Sequence, residues 1–292
     1  MTTTAPFEPA SRYWTSQGLK LHYLDWGNAN APVLVLLHGN GDHARSWDWT
    51  ARALLEDWHV VVPDLRGHGE SAWSAEGAYL TPYHVQDFVD FLGAIGAERV
   101  TIVAHSFGGA IATRFAAMYP ERVDKLVVID GLGPAPAFVK KWDEEGRAAR
   151  AREWVDKRRA LSAAEIKTLP SIEDAMARLR KNIRRLSDEQ ARHLTEHAVR
   201  KTDDGYVWKR DPAVMIFALE DFFMETAEVR ALIEAPTLLF YGPESWTTHP
   251  DEDGRATPIC DHETIVFEEA GHWLHHDQFP AFIDAVKAFL LR

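Results

Sequence analysis

The sequence predicts an α/β fold in which helices flank a mostly parallel sheet and a helical segment is inserted before the sheet is finished. Short β-branched and leucine-rich runs recur along the chain, each closed by a turn signal and most followed by a helix-like pattern. The runs are hydrophobic almost without interruption, as strands covered on both faces are. The rhythm stops after Asp130 and resumes at Pro236. With 292 residues and 46% hydrophobic side chains, the chain is long enough to bury a full core and too apolar for disorder.

The opening departs from the parallel rhythm. Residues 12–15 and 19–26, split by Gln17-Gly18, predict an antiparallel hairpin on the sheet edge. Runs at 33–37, 59–62, 100–104, 125–129, 237–241 and 264–267 predict the remaining strands, and helical patterns at 46–55, 82–92, 108–118 and 280–290 fit between them. Residues 133–232 repeat helix signals with no convincing strand and read as a helical cap, leaving 1–132 and 233–292 as the α/β core. Basic and acidic residues nearly balance in the cap, so the core carries most of the net charge of -12. Arg178, Arg180, Lys181, Arg184 and Arg185 in the cap read as a solvated helix face rather than an anion site.

That acidity disfavours nucleic acid and anionic membrane surfaces, which both depend on clustered Lys and Arg. A neutral small organic substrate is expected instead. Cys260 is the only cysteine, so an internal disulfide or thiolate zinc site is excluded and nothing requires an oxidising compartment. Residues 1–14 lack the basic start and apolar core of a signal peptide, and the run 33–37 is far short of the roughly 20 residues that span a bilayer. A cytoplasmic location is the expectation. Oligomeric state is left open.

The chemistry begins at Ala104-His105-Ser106-Phe107-Gly108-Gly109, between a predicted strand and a small-residue helix. Small residues two before and two after a serine allow a sharp strand-to-helix turn that exposes the hydroxyl above the strand ends. Ser106 is therefore the candidate nucleophile. Phe107, the next residue, offers a backbone N–H to the oxyanion that forms when a serine attacks an acyl carbon.

With His38-Gly39-Asn40-Gly41, the Asp64 to Ser71 turn and Gly271-His272-Trp273 in order around the elbow, nearly the whole chain resembles the α/β-hydrolase superfamily. The match is to its capped, small-substrate branch of serine esterases and serine hydrolase-like proteins. Ala104 stands where glycine is commoner. The resemblance implies that His272 returns over the sheet to Ser106 as general base and then acid. It assigns the second oxyanion donor to Asn40, through backbone or side chain, and gives His38 a structural role. Asp64, Arg66, His68 and Ser71 would knit a turn beside the site. The dehalogenases and epoxide hydrolases of this superfamily use aspartate where Ser106 stands, so their reactions do not transfer.

The third member of the triad has two candidates. Relatives commonly place an aspartate three residues beyond the glycine that ends the penultimate strand, and here the phrase reads Gly242-Pro243-Glu244-Ser245, with serine at that position. Glu244 could supply the carboxylate from one position earlier; Asp130, at the preceding strand's end, is the favoured acid, with Asp251, Glu252 and Asp253 as remote alternatives. His275, His276 and Asp277 raise a metal cluster as a rival to the catalytic reading of this stretch, but no supporting motif accompanies them, so neither metal nor cofactor is expected. Trp47, Trp49 and Trp58 are assigned to packing, while Trp142, Phe217, Phe222, Phe223, Trp246 and Trp273 are candidates to line an apolar pocket.

The expected function is a serine hydrolase acting on a small or medium ester through an acyl-enzyme. Thioesters, lactones and carbon–carbon bonds beside a ketone can use the same groups. A slow-turnover ligand-binding receptor and a cofactor-free oxygenase are the alternatives outside hydrolysis, and a peptidase is disfavoured because no anchor for a peptide amine is visible.

Overall fold

A computed structural model describes residues 7–218 and 226–292. Strands β1 (Ala10–Ser16) and β2 (Leu19–Asp25) form the expected edge hairpin. Its two-residue turn has φ of 49° at Gln17 and 78° at Gly18, and a hairpin turn with both central residues in the left-handed region matches the strands' natural twist. Then come β3 (Val33–Leu37), helix α1 (Asp48–Leu54), β4 (His59–Pro63), α2 (Thr81–Ala94), β5 (Val100–His105), α3 (Phe107–Met118) and β6 (Val123–Ile129). After the insertion the sheet resumes with β9 (Thr237–Tyr241) and β10 (His262–Val266), and α9 (Leu274–Asp277) and α10 (Phe279–Leu290) close the described chain.

The insertion carries α4 (Pro136–Glu145), α5 (Arg147–Ser162), α6 (Ile172–Asn182), α7 (Asp188–Ala198), β7 (Val199–Thr202), β8 (Gly205–Trp208) and the short α8 (Ala227–Arg230). The antiparallel pair β7–β8 corrects the expectation of helices only. Its strands have four residues each, joined by Asp203-Asp204, so they are too short for alternation to stand out in the sequence.

The eight-stranded sheet runs β1-β2-β4-β3-β5-β6-β9-β10, with β2 antiparallel to both neighbours and every pair from β4 onward parallel. Side chains of one strand alternate between two cores. Val35 and Leu37 of β3 join Phe88, Phe91 and Phe115 from α2 and α3; Leu34 and Leu36 join Trp47, Phe282 and Val286 on the other face. Double coverage is why these strands lack polar alternation. It also fixes the register at β6 and β9, where Ile129 stands opposite Phe240 and the N–H of Asp130 continues the ladder to the Phe240 carbonyl at 3.0 Å. The carboxyl ends of β5, β6 and β9 therefore open onto one place.

Candidate active site

Ser106 occupies the junction of β5 and α3 at φ 51° and ψ −117°, a conformation that L side chains rarely adopt. Its neighbours leave little choice. The Ser106 N–H donates to the Ile129 carbonyl at 2.9 Å, and a Cβ on Gly131 would stand 2.6 Å from the Ser106 carbonyl oxygen. A Cβ on Gly108 would stand 2.7 Å from the carbonyl oxygens of Leu37 and His38. The small residues around the elbow thus permit close approach of three backbones, and the rigid sheet holds the strained serine.

His272 lies in the loop between β10 and α9. Its Nε2 accepts from Ser106 Oγ at 2.8 Å and its Nδ1 donates to Asp130 Oδ2 at 2.5 Å. The His272 and Asp130 side chains are 5% and 4% exposed, so bulk water barely competes for this bond. Below them His105 Nε2 donates to the His272 carbonyl at 2.9 Å. Burial, reinforced by the nearby His272, holds His105 well below the ordinary imidazole range, so it serves as a neutral donor.

Asp130 is also at positive φ, 46°. It accepts from three groups: Ser245 Oγ reaches the same Oδ2 at 2.5 Å, and Thr247 Oγ1 donates to Oδ1. Sequence reasoning missed both hydroxyls. Ser245 is the residue at the position where relatives commonly carry the acid, and in that place it supports the acid instead. Glu244 points elsewhere, pairing with Arg185 Nη2 at 2.5 Å, while its N–H donates to the Ala270 carbonyl at 3.1 Å. Asp251 pairs with His262 at 2.8 Å and Asp253 with Arg255 at 2.8 Å.

Phe107 opens α3, where the first N–H groups have no intrahelical acceptor. The Asn40 side-chain Nδ2 donates to the Val214 carbonyl at 3.1 Å, which leaves its backbone N–H as the group available to the cavity. Neither N–H meets a backbone carbonyl among the described residues. His38 is fully buried, accepting from Leu65 N–H at 3.0 Å and donating to the Gly39 carbonyl at 2.8 Å. Asp64, Arg66, His68 and Ser71 form the tight turn: Asp64 accepts from Ala44 N–H at 2.7 Å, Arg66 grips Asp87 at 2.6 and 2.7 Å, and His68 accepts from Gly41 N–H at 2.9 Å. His275 stacks on Trp47 with ring centroids 5.0 Å apart, and Asp277 accepts from Gly271 N–H at 2.9 Å. No group of three or more metal-binding side chains occurs among the described residues.

Above Ser106 lies an open cavity of about 1130 Å³. Trp142, Phe217, Trp246 and Trp273 line it; Phe222 and Phe223 fall outside the described residues. Trp246 covers the His272 ring at a centroid distance of 4.0 Å. The five basic residues do not form one solvated helix face: Arg184 and Arg185 lie in the turn after α6. Arg180 pairs with Asp188 and Arg185 with Glu244, while Arg178, Lys181, Arg184 and Arg185 line the cavity. The arrangement presents a hydroxyl, a base hydrogen-bonded to it, a carboxylate on the base's far nitrogen and two N–H groups, which are the parts acyl transfer requires.

Comparison with known proteins gives the family. A family profile described as alpha/beta hydrolase fold matches residues 32–279. A serine hydrolase-like protein of Danio rerio is 28% identical over 273 residues, covering 91% of this chain and 83% of its own. An esterase of Mycobacterium tuberculosis is 31% identical over 274 residues, covering 91% of this chain and 85% of its own. Among solved structures, a thioesterase domain from the curacin biosynthetic pathway superposes with a TM-score of 0.78 at 22% identity, over 95% of this chain and 98% of its own, a likeness of fold alone. Among the described residues, no helix is long and apolar enough to cross a membrane.

Proposed function

Because the chain belongs to the α/β-hydrolase fold family, we propose that it is a serine hydrolase that cleaves a small or medium carboxylic ester through an acyl-enzyme. One observation carries the reading: the unbroken hydrogen-bonded line from Ser106 Oγ through His272 to Asp130, at the strained turn after β5. The esterase and serine hydrolase-like relatives support it.

In this reading Ser106 Oγ attacks the ester carbonyl as its proton passes to His272 Nε2. The carbonyl π electrons move onto oxygen, and the N–H groups of Phe107 and Asn40 receive the charge. Collapse of the tetrahedral intermediate breaks the bond to the alcohol oxygen, which takes the proton from His272. Water then repeats the sequence on the acyl-enzyme, releasing the acid and restoring Ser106. Asp130 holds the Nδ1–H tautomer and stabilises the imidazolium, while Ser245 and Thr247 keep its carboxylate oriented. Residues 133–232 act as the cap that shapes the substrate cavity. Every chemical role is filled by a protein group, so activity is expected to survive EDTA.

An organophosphonate should label Ser106, visible by intact mass and peptide mapping, with a burst followed by steady turnover on an activated ester. Labelling that persists in Ser106→Ala would overturn the assignment. A burst followed by negligible turnover would favour a slow hydrolytic receptor.

A further inference from the structure

The cavity holds a cation that nothing in the serine-hydrolase reading uses. Arg210 follows β8 and lines the same cavity as Ser106, Asn40 and Phe107. Its guanidinium lies over the Trp208 ring, 5.6 Å from the centroid, and crowds Gly41, where an added Cβ would stand 2.7 Å from Nη1. Its hydrogen-bond partner is Met215 Sδ at 3.2 Å, a weak acceptor. Among the described residues no carboxylate pairs with Arg210, although the preceding Lys209 is paired with Glu70. Partial burial alone holds Arg210 below the ordinary arginine value.

A half-buried guanidinium that meets no carboxylate among the described residues is costly unless an anion arrives to meet it. Among the described residues, the carboxylates lining the cavity are already engaged: Asp130 by His272, Glu244 by Arg185, Asp277 by Gly271 N–H, and Asp42 by His43 N–H at 2.9 Å. Arg178, Lys181 and Arg184 also line the cavity without ion pairs among the described residues. In a chain of net charge -12, this local positive field draws small anions inward.

The position selects which part of the substrate carries the charge. A leaving alcohol must face His272, which protonates it. Arg210 stands at Gly41, beside the Asn40 N–H and on the oxyanion loop, so it borders the acyl side. We propose that Arg210 binds a carboxylate on the acyl chain, making the preferred substrate a half-ester of a dicarboxylic acid. This inference rests on the serine-hydrolase reading, and it replaces the neutral substrate expected from net charge. Arginine suits the task because its planar fork meets a carboxylate through two N–H groups.

The test compares kcat/KM for the 4-nitrophenyl half-ester of glutaric acid with that for its methyl-capped, neutral counterpart. A third probe carries the carboxylate on the phenol of a butyrate ester. The wild type should favour the half-ester over the capped ester by about tenfold or more, and Arg210→Gln should lower that ratio by about tenfold. Arg210→Lys should recover part of it, and melting curves should show all variants folded. A ratio near one in the wild type, a ratio unchanged in Arg210→Gln, or an Arg210-dependent preference for the charged phenol alone would overturn the inference. Ser106-dependent turnover of the capped ester would in that case leave the hydrolase reading standing. Absence of Ser106-dependent turnover on all three esters would remove both.

Discussion

The carboxyl ends of β5 and β6 and the insertion between β6 and β9 meet at one cavity, yet they are built differently. Val103, Ala104, Val127 and Ile129 are fully buried, and that packing holds Ser106 and Asp130 at positive φ. Helices α4 and α5 bury no side chain. The insertion's own apolar clusters are small: Ile183, Leu186, Ala191 and Leu194 gather against Trp49 and Trp273, and Leu169, Ala175 and Val199 form a second group. Strain can be stored where packing over-determines the backbone, and recognition can be altered where it does not. In the proposed function the chemistry belongs to the first region and the selection of substrate to the second.

The sharpest way to break this division is at the nucleophile. Ser106→Ala should lower kcat by about 10⁶-fold, as loss of a serine nucleophile does elsewhere, with thermal stability little changed. A smaller effect belongs to the hydroxyls on Asp130. Ser245→Ala combined with Thr247→Val should reduce kcat/KM by about tenfold and move the acid limb of its pH profile, because the carboxylate loses two donors. An unchanged profile would leave these residues a structural role only.

Acid should attack the seam between the two regions. His43 donates to the Leu194 carbonyl of α7 at 2.9 Å, and burial holds it down at about 3; burial likewise holds His276, beside Trp49, at about 4. Unfolded, each imidazole takes a proton near 6.5, so the unfolded chain binds more protons between that value and the folded one. Stability contributed by these neutral histidines is complete above pH 6.5 and is lost as pH falls toward 4, at up to about 1.4 kcal/mol per pH unit for each. Melting temperature should therefore drop between pH 7 and pH 5. Hydrogen exchange at neutral pH should show the mildest contrast, with α4 and α5 exchanging through local opening while β5 and β6 exchange only on global unfolding.

The two regions were also unequally legible in the sequence. The elbow could be read locally, since the small residues around Ser106 and the strand and helix flanking it are contiguous. The choice between Asp130 and Glu244 could not, because it depends on the β6–β9 register and on Arg185 capturing Glu244 from the insertion. Asn40 was left open between backbone and side chain for the same reason: Val214, which takes its amide, is 174 positions away. The basic face of α6 followed charge patterning only in part, since pattern cannot say which side of a helix meets a cavity. β7 and β8 escaped because four-residue strands carry too few alternations to be distinguished from turns.

The central claim is that Asp130 orients His272 from the end of β6. It is tested most directly by measuring acylation of one activated ester by Asp130→Asn and Glu244→Gln, both checked for folding by circular dichroism and thermal melting. An amide keeps the shape of the carboxylate but favours the wrong histidine tautomer, a change that costs a serine protease about 10⁴-fold. Asp130→Asn should fall by a comparable factor, and Glu244→Gln should stay near wild type because its carboxylate meets Arg185 instead. Abolished acylation in Glu244→Gln with near-normal rates in Asp130→Asn would contradict the claim and move the acid to Glu244.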